Sequence, residues 1–81
     1  MPVATVKKTD SQVQQDVLRE LKWDTRVTET EVGVEVDDHV VTLTGAVPTY
    51  AKKIAAEEAA HRVLGVLDVA NDIQVLYPGQ K

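Results

Sequence analysis

Lys52 and Lys53 follow Pro48, Thr49 and Tyr50 in a stretch that reads as the start of a helix. A helix start carries free N–H groups, and two ammonium groups beside a tyrosine suit a phosphate head group. The competing reading is a solvated pair between Lys53 and Glu57, with the cation first, which is the weaker order. Trp23, flanked by Lys22 and Arg26, is the second candidate. Tryptophan among cations suits contact with a membrane interface. It is also the largest apolar group available to a small core, so packing competes with contact.

Other polar constellations carry less. Glu58 and His61 have the Glu-x-x-His spacing of di-iron helix bundles, but that chemistry needs further carboxylates from facing helices. With Glu57, they are expected to form a solvated helix face with a local ion pair. Asp37, Asp38 and His39 are ordinary hairpin-turn chemistry. Ser11, the only serine, sits where a helix cap belongs. Gly33, Gly45, Gly65 and Gly79 lie too far apart to cradle a phosphate. The chain has no cysteine, so it has no disulfide, thiolate nucleophile or zinc-thiolate site. The expectation is a binding module with no catalytic residue, no metal and no cofactor.

Composition narrows the partner. A net charge of -4 argues against the broad basic footprint of a nucleic-acid binder and against attraction to an anionic membrane by charge alone. No apolar run reaches the roughly 18 residues that span a bilayer. The opening Met-Pro-Val-Ala-Thr-Val-Lys-Lys lacks the apolar stretch of an export signal. A cytoplasmic location is therefore expected for the chain as given, and a periplasmic one if it is a processed or trimmed piece. Its 81 residues allow one domain, with a core built from Val, Leu, Ile and Ala because the only aromatics are Trp23, Tyr50 and Tyr77.

The elements that must position these residues follow from periodicity. Residues 1–10 read as a loose arm, ending at three candidate caps, Thr9, Asp10 and Ser11. Thr9 with Gln12 fits a capping box. Val13, Val17 and Leu21 at spacing four, widened by Leu18, mark an amphipathic helix of about three turns. Trp23–Thr30 reads as a connection. From Glu31 the period changes to two, with Val32, Val34 and Val36 on one side. Asp37-Asp38-His39 turns the chain into a second strand, Val40–Val47, which makes an antiparallel hairpin. Pro48-Thr49 caps a second helix over Tyr50–Leu64, with Ile54, Ala55, Ala59 and Val63 inward and Ala56, Ala60 and Leu64 alongside. Gly65 sits where a C-cap glycine belongs. Val66–Leu76 forms a third strand, with Val69, Ile73 and Val75 on one parity, and residues 77–81 a tail or linker.

The fold class is α+β: a two-layer α/β sandwich in αββαβ order, with a three-stranded mixed sheet and two helices on one face. The crossover makes the third strand parallel to the second. The outward face should show Glu31, Gly33, Glu35, Val40, Thr42, Thr44, Asp72 and Gln74. It is acidic and has no stacking aromatics, so RNA reading is disfavoured.

Val41-Thr42-Leu43-Thr44-Gly45, then Gly65-Val66, Val69, Asn71 and Ile73, resemble the two signature stretches of the BON domain. Ala55-Ala56-Glu57 and the Asp16-Val17…Leu21 spacing also match, so the resemblance runs from about Ser11 to Leu76, a BON-like domain over residues 11–76. It implies a bacterial, non-catalytic module that associates with phospholipid or a membrane surface, in an osmotic-stress or envelope context and often in tandem copies. Two departures stand out. His39 occupies a turn position where the family usually has Gly, which implies a turn shifted by one residue or a non-Gly residue at positive φ. The family's usual export signal is also missing.

Two functions compete. The leading one is lipid or membrane-surface binding through Lys22, Trp23, Arg26, Tyr50, Lys52 and Lys53. The alternative is protein–protein interaction or a tandem-repeat module, with a protein partner or a sister BON domain docking on the acidic sheet face or adding a strand to a valine-bearing edge.

Overall fold

The computed structural model describes residues 8–27 and 32–76. Most of the expected N-terminal arm, Thr28–Thr30 of the connection, Glu31 of the outward face and the tail from Tyr77 lie outside them. The elements are α1 (Asp10–Trp23), β1 (Val32–Asp37), β2 (Val40–Val47), α2 (Tyr50–His61), β3 (Asp68–Asn71) and β4 (Gln74–Val75).

Helix α1 starts as its cap residues dictate. The Thr9 hydroxyl accepts from the Gln12 N–H at 3.1 Å, and the Gln12 side chain accepts from the Thr9 N–H at 2.9 Å. The reciprocal pair satisfies two donors that a helix start otherwise leaves open. Val13, Val17 and Leu21 are completely buried, whereas Leu18 turns partly to solvent.

The sheet has β2 at its centre. β1 pairs with it antiparallel, from Val32 opposite Gly45 to Asp37 opposite Val40. β3 and β4 both pair with β2 in parallel, Val40 opposite Asp68, Leu43 opposite Asn71 and Val47 opposite Val75. The single third strand of the sequence reading is thus two segments in one continuous register. The break falls at Asp72 and Ile73, where the Asp72 N–H still donates to the Leu43 carbonyl at 2.8 Å and the Ile73 N–H, on the other side of the strand, turns to the Asn71 side-chain oxygen at 3.2 Å. The ladder resumes where the Leu76 N–H meets the Val47 carbonyl at 2.8 Å.

Both helices lie on one face, with a single core between the layers. Val32, Val34, Val41, Leu43, Val47 and Ile73 of the sheet meet the α1 stripe and four buried alanines of α2, Ala55, Ala56, Ala59 and Ala60. Small side chains let α2 approach the sheet closely.

The sequence reading errs at the end of α2. The helix stops at His61 and is capped by Arg62. The Val63 N–H bonds back to Ala60 and the Val66 N–H to Val63, one residue closer than an α-helix requires. That tightening turns Val63 inward and leaves Leu64, expected along the inner stripe, 79% exposed. Ile54 is only half-buried. Gly65, at φ +96°, lies in the turn beyond and is not the cap itself. The outward face has the expected parity, with Gly33, Glu35, Thr44, Asp72 and Gln74 exposed and Thr42 half-buried.

Candidate functional site

Helix α1 ends at Trp23, and the chain beyond it folds back onto α2. Asp24 caps α1, and its N–H bonds to the Glu20 and Leu21 carbonyls. Its carboxylate accepts the Arg26 backbone N–H at 2.9 Å, two guanidinium N–H groups of Arg26 at 2.8 and 3.0 Å, and one of Arg62 at 3.1 Å. The Arg26 guanidinium beside it holds that carboxyl far below the usual carboxylate range, with the Arg26 N–H and Arg62 assisting against the opposing effect of burial. Arg62 also reaches Glu20 at 3.1 Å, and Arg26 reaches Glu58 at 2.8 Å. Five charged groups thus clamp the antiparallel helices, and Asp24, its side chain 5% exposed, is the pivot.

This clamp places the expected binding residues. The Lys52 ammonium donates to the Arg26 carbonyl at 3.1 Å. The first turn of α2 therefore lies against the segment that follows Trp23, and the two halves of the expected patch come together. Trp23 is 75% exposed and Tyr50 59% exposed, so Trp23 is not the core residue that one reading made it. Lys22 is exposed and Lys53 half-buried, and neither forms an ion pair among the described residues. Lys53 does not bond to Glu57. Arg26 is in the patch, but its guanidinium is spent on Asp24 and Glu58.

The helix start is less open than the sequence suggests. The Thr49 hydroxyl accepts the Lys52 N–H at 3.2 Å, and the Lys53 N–H bonds to the Thr49 carbonyl.

Asn71 ties this first turn to the sheet. Its amide donates to the Lys53 carbonyl at 3.0 Å and to the Glu57 carboxylate at 3.2 Å. From the sequence Asn71 enters only through the resemblance, and neither Asp24 nor Arg62 stands out. A polar residue between Val69 and Ile73, on the inward parity of a strand, was the available signal for Asn71. An Asp just past the last apolar position of α1, with Arg two residues on, was the signal for Asp24.

Ser11 is not the cap expected of it, since Thr9 caps α1 and Ser11 lies inside its first turn. His61 lies 3.9 Å from Glu57 on an exposed face, and Glu58 turns to Arg26. No group of three His, Cys, Asp or Glu among the described residues could hold a metal ion. Among them, too, no helix is long and apolar enough to cross a membrane. The hairpin turn is not shifted, since Asp38 and His39 both take positive φ, +52° and +66°. The open edge of β1 is partly closed, because the Gln14 side chain donates to the Val34 carbonyl at 2.9 Å. Strand addition at that point would have to displace it.

No curated protein matches the chain. The BON family, a binding-type family and not a known catalytic one, matches the chain over residues 9–77, and the protein belongs to it.

Proposed function

We propose that this BON domain is a non-catalytic module that docks on phospholipid surfaces through the end where α1 finishes and α2 begins. Trp23 and Tyr50 enter the interface, Lys22, Lys52 and Lys53 face the phosphates, and Arg26 holds the segment in shape. The observation that carries this reading is the exposure of Trp23, 75%, on a segment joined to Lys52 through the Arg26 carbonyl. A large aromatic left in water, next to Lys22 in the chain and on a segment that receives the Lys52 ammonium, is an arrangement suited to interfacial binding. The osmotic-stress and envelope setting belongs to the same proposal and rests on the family.

The chain's net charge of -4 sets the balance of forces. Each lysine near an anionic surface contributes about 1 kcal/mol, and the contribution is screened by salt. The apolar contact of Trp23 must therefore supply the part of binding that survives salt.

Trp23 is the only tryptophan, so its emission reports on the site directly. Titration with anionic vesicles at low salt is expected to shift that emission to the blue. The shift should shrink at physiological salt and be absent in Lys52→Glu/Lys53→Glu. Unchanged emission with anionic and zwitterionic vesicles alike would refute the reading.

A further inference from the structure

The end of the molecule opposite Trp23 has its own exposed apolar group. The Leu67 N–H donates to the His39 carbonyl at 2.9 Å, which puts the α2–β3 connection beside the hairpin turn. Leu64 and Leu67 are 79% and 76% exposed in this connection, with Val40 beside Leu67 at 36%. The cations nearest Leu64, namely Lys8, Arg19 and Arg62, are paired with Asp16, Glu20 and Asp24, so the charges at this end that form no ion pair are carboxylates. Asp37, Asp38 and Asp68 are all exposed, and none forms an ion pair among the described residues. Helix α1 starts at this end, where Asp10 holds the turn, and it ends at Trp23, about 20 Å away at 1.5 Å per residue.

We infer that copies of this chain associate head to tail, the acidic, leucine-bearing end of one seating the aromatic, lysine-bearing end of the next. The two ends are complementary in two properties at once. Each end leaves large apolar side chains in water, Leu64 and Leu67 at one and Trp23, Tyr50 and Leu76 at the other. Their charges are opposite, Asp37, Asp38 and Asp68 against Lys22, Lys52 and Lys53. A two-fold pairing of like ends would press three carboxylates on three, or three ammonium groups on three, and each is disfavoured. A head-to-tail junction is heterologous, so it leaves a free end on each side and can propagate. It also covers Trp23, so assembly and lipid docking exclude each other. The inference stands without lipid and is measured without it.

The test is sedimentation of the full chain from micromolar to millimolar concentration. Wild type is expected to grow beyond a dimer, with assembly weakened about ten-fold between low and high salt by charge screening. Leu64→Ser/Leu67→Ser spoils one end and Lys52→Glu/Lys53→Glu the other. Each variant alone should be monomeric; Leu64 and Leu67 are exposed, and circular dichroism of Lys52→Glu/Lys53→Glu checks that losing the Lys52 bond to the Arg26 carbonyl leaves the fold intact. An equimolar mixture has one intact end from each variant and should form a one-to-one dimer and nothing larger. Wild type that stays monomeric at every concentration would overturn the inference, as would a mixture that fails to pair. Vesicle binding by Leu64→Ser/Leu67→Ser separates the two readings, because that variant keeps the Trp23 end intact.

Discussion

The Asp10 carboxylate accepts the backbone N–H of His39 at 3.0 Å, and its other oxygen accepts that of Asp38 at 2.9 Å. The first residue of α1 thereby holds both central residues of the β1–β2 turn, each at a positive φ that L side chains rarely adopt. The His39 ring closes the same junction from the other side, its Nε2–H donating to the Lys8 carbonyl. Two-residue hairpins with both central residues at positive φ match the twist of the strands, and Asp tolerates that conformation better than most residues. His39 in a position where the resemblance implies Gly is thus accommodated by hydrogen bonds from outside the hairpin.

This junction makes stability depend on acid. The N–H groups of Asp38 and then His39 lower the Asp10 pKa from its ordinary 3.8. The unfolded chain therefore takes up its proton first as pH falls. The Asp10 contribution is complete above about pH 4 and is lost as pH drops through the lowered folded value. Urea midpoints of wild type should fall across that acid range. Asp10→Asn should have a lower midpoint at neutral pH and a flatter acid limb. Parallel acid limbs in the two proteins would show that Asp10 is not the group responsible.

Asn71 is a second single-residue fastener. Its amide spans the Lys53 carbonyl and the Glu57 carboxylate, and its oxygen takes the Ile73 N–H. Asn71→Ala removes all three bonds and is expected to cost about 1–3 kcal/mol in denaturant unfolding. Asn71→Asp should cost more, because it replaces the donor to Glu57 with a like charge. Glu57→Gln in that background should recover part of the loss, which a double-mutant cycle reads directly.

The periodic parts of the fold were legible. Val13, Val17 and Leu21 at spacing four, the Val32/Val34/Val36 alternation and the Thr9–Gln12 box each encode a local structure that packing reinforced. The misreadings come from hydrogen bonds, one local turn and several tertiary contacts, that leave no periodic trace. Leu64 fits an inner stripe by spacing, and only the tightened turn after Ala60 swings it out. Asn71 looks like any polar residue in a strand until its three partners are known. Trp23 could be placed on the chain but not in or out of the core. That depended on the fold-back set by Asp24 and Arg26 with Arg62, which lies 38 positions beyond Asp24.

The corrected end of α2 has an energetic counterpart. Leu21→Ala, at a fully buried position, should cost about 2–5 kcal/mol through lost burial and the cavity left behind. Leu64→Ala should change stability by no more than about 0.5 kcal/mol, as exposed substitutions do. Equal losses in thermal or urea unfolding would restore Leu64 to the inner stripe and contradict the observed turn.

The Asp24 clamp links stability to the proposed docking end. Its carboxylate takes charged hydrogen bonds from Arg26 and Arg62 while 5% exposed, so Asp24→Asn should cost about 1–3 kcal/mol in unfolding measurements. Because these bonds keep its pKa far below the usual carboxylate range, that cost should be the same from neutral pH down to about pH 4. The clamp also fixes the Arg26 carbonyl that receives Lys52, and so the spacing between Trp23 and the lysines. Asp24→Asn removes a negative charge, which by itself would favour an anionic surface. If geometry governs docking, vesicle binding should nevertheless weaken at temperatures where the variant remains folded. Tighter binding would mean that net charge outweighs the arrangement of the patch.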